Sequence, residues 1–160
     1  WFVPDSERVA YWVDEVAGIW DVPDTLAEFD RLQSTRPWSL ASQIFIEMKG
    51  DGVTLVQTRR DRVPGIIVVN PKGEKTDRLR RVSGFYQSGN VRYPDLATHP
   101  DKAEKVLAHI GQITTFSVSA LKDKGDAASQ FLEKLWLSES PLTEEQQEQW
   151  EEDLLSHFGF

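Results

Sequence analysis

Ile44-Phe45-Ile46-Glu47-Met48-Lys49-Gly50-Asp51-Gly52 is the stretch on which the reading of this chain turns. Ile44, Phe45 and Ile46 run without a polar break before Glu47, so Gln43 to Met48 predicts a buried strand. Gly50-Asp51-Gly52 predicts a turn that feeds a helix from Val53 to about Arg60. The pattern repeats downstream. Gly65 to Val69 is a second continuous apolar run, bounded by Pro64 and Asn70-Pro71, as expected of a strand covered on both faces. Lys75 to Gln87 predicts a helix with Leu79, Val82 and Phe85 on one face, closed by Ser88-Gly89-Asn90. A short strand, Val91 to Tyr93, ends at Pro94, and His99-Pro100-Asp101 opens a helix to about Ile110. Ser119 to Lys124 reads as a loop and Asp126 to Leu137 as a further helix.

Upstream, Trp1 to Val3 and the β-branched and aromatic run Val9 to Val16 predict a hairpin across a Pro4-Asp5-Ser6-Glu7 turn, its second strand the longer. Pro23-Asp24-Thr25 opens a helix through about Gln33, with Leu26, Phe29 and Leu32 at helical spacing. Strands alternating with helices predict an α/β layer on a mixed sheet: antiparallel from the hairpin, parallel from the crossovers. Beyond Leu137, Ser140-Pro141-Leu142-Thr143 caps a helix from Glu144 to Phe158, with Thr143 and Gln146 spaced as a capping box. Its stripe of Trp150, Leu154 and Phe158 would pack on its own domain or dock a partner. The organisation expected is one domain over residues 1–137 and an acidic helical tail over 138–160.

Composition narrows the function. The chain has 160 residues and no cysteine, which excludes disulfides, thiolate zinc sites, iron–sulfur clusters and a cysteine nucleophile, and fits a reducing compartment. No apolar run reaches bilayer length and no leader pattern opens the chain, so a cytoplasmic, membrane-free domain is expected. The net charge is −8, but it is segregated. Between Lys49 and Arg92 ten basic residues face four acidic ones, a local +6 that leaves −14 elsewhere. A basic field beside an acidic tail suits a polyanion partner, and equally an ordinary solvated surface.

Two carboxylate positions could carry chemistry. Glu47 ends a buried strand, at the sheet edge where open α/β sheets bind ligands, and an ionised carboxylate there needs a cation or a hydrogen-bond network. It could instead sit at an exposed strand tip paired with Lys49. Asp123 and Asp126, three apart, share one face of a helix start. N-capping and the helix dipole alone would also favour acids there. Lys72-Gly73-Glu74-Lys75-Thr76 lacks the glycine and the Gly-Lys-Thr order of a phosphate loop. His99, His109 and His157 have no metal-ligand spacing, and the six tryptophans read mostly as core.

The order of several segments resembles the C-terminal nuclease domain of tailed-phage large terminases, a branch of the RNase H-like superfamily. The segments are Tyr11-Trp12-Val13-Asp14 with Trp20-Asp21-Val22-Pro23; Ile44 to Gly52; and Val69-Asn70-Pro71-Lys72-Gly73-Glu74-Lys75 with Arg78. Ser88-Gly89-Asn90-Val91-Arg92-Tyr93-Pro94 and Lys124-Gly125-Asp126-Ala127-Ala128-Ser129-Gln130 complete them. The resemblance spans Tyr11 to Leu135 and rests on order and spacing. It implies an RNase H-like fold, a central mixed sheet flanked by helices, with an extra acidic C-terminal helix here. It implies a metal-dependent endonuclease that cuts concatemeric viral DNA with two divalent cations, Mg²⁺ or Mn²⁺. Glu47 and Asp126 match metal-binding acids and Asp123 a supporting one, all three with a part in catalysis. Lys75 and Arg78 match basic positions near the substrate path, and Lys49, Lys72 and Arg81 would join them on double-stranded DNA. Implied partners are the portal, the small terminase subunit and an ATPase domain on the same full-length protein, in the host cytoplasm.

The family also carries an Asp on a first, central strand, and this sequence starts at what reads as the second. Asp14, on the third strand, and Asp5, in a turn, are poor substitutes. Either a strand precedes Trp1 or the module no longer cleaves. The first is expected, since without its central strand the middle of the sheet is left unpaired.

Overall fold

A computed structural model of the chain describes residues 1–4, 8–116 and 122–137. Its class is α/β. Among the described residues four short strands, β1 (Ala10–Tyr11), β2 (Ile44–Glu47), β3 (Ile66–Val69) and β4 (Val91–Arg92), alternate with five helices. These are α1 (Val22–Gln33), α2 (Asp51–Arg59), α3 (Lys75–Gln87), α4 (Ala103–Thr114) and α5 (Asp123–Trp136). Single 3₁₀ turns lie at Trp38–Leu40 and Pro100–Lys102. Among the described residues no helix is long and apolar enough to cross a membrane. The expected helix from Glu144 to Phe158 and the turn at Asp5 lie outside the described residues.

Among the described residues the strands do not join into one mixed sheet. β2 pairs with β3 in parallel, Ile44 opposite Ile66 through Glu47 opposite Val69, and β1 pairs separately with β4, also in parallel. The expected hairpin survives only as a bridge in which Phe2 and Tyr11 exchange both backbone hydrogen bonds at 2.9 and 2.8 Å. Its second strand is only two residues long, and Trp12 donates to the Arg92 carbonyl and Ala10 to that of Asn90, so β4 lies on its other side. α2 starts at Asp51 and α5 at Asp123, each earlier than the sequence suggested, so both early acids sit in first turns where the helix dipole favours them.

The main core lies on the β1–β4 side. Ala10, Leu79, Val82, Val91, Phe116 and Leu132 bury one another, with Ile113 and Phe131 packed around them. α3 and α5 form its central helix pair, and Gly125 lets α5 close on Phe116, just past α4: a Cβ at Gly125 would stand 2.7 Å from the Phe116 ring. The β2–β3 side is thinner. Ile46, Val56 and Val69 are buried there, while α1, despite its Leu26, Phe29 and Leu32 stripe, buries no residue fully. A bidentate Arg59–Asp30 pair at 2.8 Å ties α1 to α2, an exposed bridge of small energetic value. Among the described tryptophans Trp12 is buried, whereas Trp20 is exposed.

Candidate active site

The β2 strand ends at Glu47 because the chain must turn sharply there. Gly50 adopts φ +54°, and Gly52 packs so tightly that a Cβ would lie 2.0 Å from the Glu47 carbonyl oxygen. Only glycines allow this approach, so the sequence Gly-Asp-Gly holds Glu47 at the carboxyl end of a parallel pair. Its Oε2 accepts a hydrogen bond from Gln130 Nε2 at 3.1 Å, across 83 residues of sequence. The sequence-level alternative, pairing with Lys49, gives way to this contact with α5.

The first turn of α5 supplies the other acids. Asp126 is 3% exposed, while the Asp123 side chain points outward. Arg78, on α3 and itself 4% exposed, grips Asp126 Oδ1 through Nη2 at 2.6 Å and Nε at 3.0 Å, and donates to the Gly73 carbonyl at 2.6 Å. Lys75, one turn earlier, places its Nζ 3.0 Å from Asp123 Oδ1 and 3.5 Å from Asp126 Oδ2. The hydrogen bond to Asp123, with the fields of both aspartates against the cost of burial, raises the Lys75 ammonium above its ordinary value and keeps it charged.

Glu47, Lys75, Asp123 and Asp126 line one cavity of about 550 Å³, floored by Phe45 and Phe131. A neighbouring cleft of about 500 Å³ shares Glu47 and Lys75 and adds Lys49 and Asn70. Lys72 and Arg81 border a third, and Arg81 is bound to Glu133 of α5. Residues distant in sequence thus converge on the first cavity, the strand-end acid with the helix-start acids, while Lys49 lines the neighbouring cleft and Lys72 and Arg81 the third. Arg78 belongs to a different place from the one the sequence suggested. It is buried under Asp126, so it cannot reach DNA from where it stands.

Asp14 lies elsewhere, and in no strand rather than on the third one that the sequence suggested. It pairs with Lys105 at 2.7 Å and Lys102 at 3.5 Å. Beside it Glu15 meets His109 Nδ1 at 2.6 Å and the Lys124 ammonium. Burial pushes the Glu15 carboxyl upward, but these two hydrogen bonds outweigh it and hold the group below its usual range. The sequence reading missed this cluster, and it missed Gln130, which the four-residue spacing from Asp126 places on the same helix face.

The oxygen donors fit a hard cation such as Mg²⁺ or Mn²⁺ in kind. Their spacing does not yet make a coordination shell: among the described residues no three His, Cys, Asp or Glu stand close enough to hold a metal. The Asp126 oxygens face Arg78 and Lys75, cations that supply the positive charge the acids require. Comparison with protein-family models, curated proteins and solved structures finds no match to this chain.

Proposed function

We propose that this chain is the DNA endonuclease module of a phage packaging terminase, built on an RNase H-like fold and dependent on divalent cations. What supports this reading is the convergence of Glu47 with Asp123 and Asp126 on one cavity, from elements 76 and more residues apart in the chain. Glu47 and Asp126 would hold the metal, with Asp123 as the outer carboxylate. Such cations would supply an activated water and positive charge for the leaving oxygen of a phosphodiester. The chain's own contribution is positional. Gln130 orients Glu47, Gly50 and Gly52 fix its height at the strand end, and Arg78 with Lys75 holds Asp126 in place. Lys75 at the acidic cavity, Lys49 in the neighbouring cleft, and Lys72 and Arg81 in the third would hold double-stranded DNA by its phosphates without reading sequence. The portal, the small terminase subunit and an ATPase domain on the full-length protein would be its assembly partners, in the host cytoplasm.

A second reading is an inactive module of the same fold that binds DNA or a packaging partner. The observation favouring it is the Arg78–Asp126 pair, which leaves Asp126 already neutralised. Supercoiled plasmid incubated with Mn²⁺, Mg²⁺ or chelator, beside a Glu47→Gln control, separates the two. Nicking that requires metal and disappears in the control establishes the nuclease. DNA binding without cleavage in either metal establishes the second reading, and absence of both overturns both.

A further inference from the structure

Asp123 and Asp126 ride on the first turn of α5, whose leading N–H groups need acceptors from outside the helix. Lys122 stands at the N-cap, and a lysine side chain has no acceptor to offer. The preceding helix supplies one: Gln112 Oε1 of α4 accepts from the Lys124 backbone N–H at 3.1 Å. The Lys124 side chain is held as well. Its ammonium meets Glu15 Oε1, while Glu15 Oε2 accepts from His109 Nδ1 at 2.6 Å. His109 is 3% exposed, and the ring centroids of Trp1, Trp12 and Tyr93 lie 5.9, 6.1 and 5.8 Å from its own. Packing confines the imidazole, and Glu15 is fastened at both of its oxygens.

α5 packs against both α3 and α4, and α3 holds the other side of the same turn. There Arg78 binds Asp126, and Lys75 reaches Asp123 and Asp126. Successive helical residues are turned about 100° apart, so Lys124 leaves the turn in a direction different from either aspartate. A grip on the aspartates alone lets the turn roll about them, and a second grip on Lys124 fixes the roll. Further along the helix Gln130 reaches Glu47 at 3.1 Å, so the same roll sets how the strand-end acid meets the helix-borne ones. We infer that Glu15 is a positioning residue: held by His109, it fixes α5 through Lys124 so that Asp123 and Asp126 share one cavity with Glu47. The consequence for metal rests on the nuclease reading, whereas the placement of α5 does not.

The test uses the full chain as parent, Glu15→Met, Lys124→Met and Lys124→Arg, each shown by thermal melting to be folded at the assay temperature. Mn²⁺ affinity is read by titration, and the Gln130 side-chain amide by NMR without metal. Glu15→Met and Lys124→Met should both weaken Mn²⁺ binding by about tenfold, as loss of an outer support of metal ligands does. Both should also move the Gln130 amide signal toward that of a free side chain, and Lys124→Arg should restore parent behaviour in both readouts. Charge alone predicts opposite signs: Lys124→Met removes a cation beside the acids and would tighten Mn²⁺, whereas Glu15→Met removes an anion and would weaken it. Opposite signs, or unchanged affinity in both variants, would overturn the inference. So would a Gln130 signal that neither variant moves, which would leave the Glu15 contacts purely stabilising. A parent that binds no Mn²⁺ counts against the nuclease reading instead, and the Gln130 signal then decides the inference by itself.

Discussion

Replacing Arg78 by methionine tests whether the α3–α5 junction is organised around a buried charge pair. Arg78 and Asp126 are each about 95% buried in their side chains, and the guanidinium reaches Asp126 Oδ1 at 2.6 Å. Removing one partner strands a desolvated carboxylate, which costs about 3–5 kcal/mol. For a chain of this length, each kcal/mol lowers Tm by roughly 2–4 °C, so a loss of roughly 6–20 °C is expected. The lost hydrogen bond to the Gly73 carbonyl accounts for about 1 kcal/mol of that. Combining Arg78→Met with Asp126→Leu removes both charges, leaving only the Gly73 contribution and small packing changes. The double variant should therefore lie within about 1–2 kcal/mol of the parent, more stable than Arg78→Met alone. Urea unfolding followed by tryptophan emission measures all three. A single variant costing less than about 1 kcal/mol, or a double variant as unstable as the single, would refute the reasoning.

Stability should fall as acid protonates Glu15 and Asp14, whose carboxyls are held below their usual values by His109, Lys124 and Lys105 against burial. The sign follows from the depressed folded values: the contribution is full above the unfolded carboxylate range and lost as pH drops through the folded one. Glu15→Gln should flatten that acid limb in a pH series of thermal melts, and an unchanged limb would remove Glu15 from the account. Gly125→Ala should destabilise by about 1–3 kcal/mol, since its Cβ would press on the buried Phe116 ring, and a neutral result in denaturant titration would contradict the packing described. Leu132→Ala, at a wholly buried core position, should cost about 2–5 kcal/mol by the same assay, with a value near zero placing the core elsewhere.

Local features were legible where a single element carried the signal. The uninterrupted Ile44-Phe45-Ile46 run, the Gly-Asp-Gly turn, and the apolar spacing of Lys75 to Gln87 and of the last described helix all encode their own backbone geometry, and β2, α2, α3 and α5 follow. Glu47 at a strand end and Asp123 with Asp126 on a first helical turn were likewise readable, because turn chemistry and helix spacing are properties of neighbours in sequence. Pairing was not. Which strand lies beside which depends on contacts between distant segments, so the parallel β1–β4 pair and the split between two sheets came only from the folded chain. The charge partners fell under the same limit. Arg78 reads as one more cation of a basic stretch, and nothing within that stretch tells that packing of α3 on α5 buries it against a carboxylate 48 residues away. The sequence by itself determined the elements and the acids they carry. Tertiary structure decided which cation each acid meets and which strands pair, because burial and long-range pairing arise only when the elements are brought together.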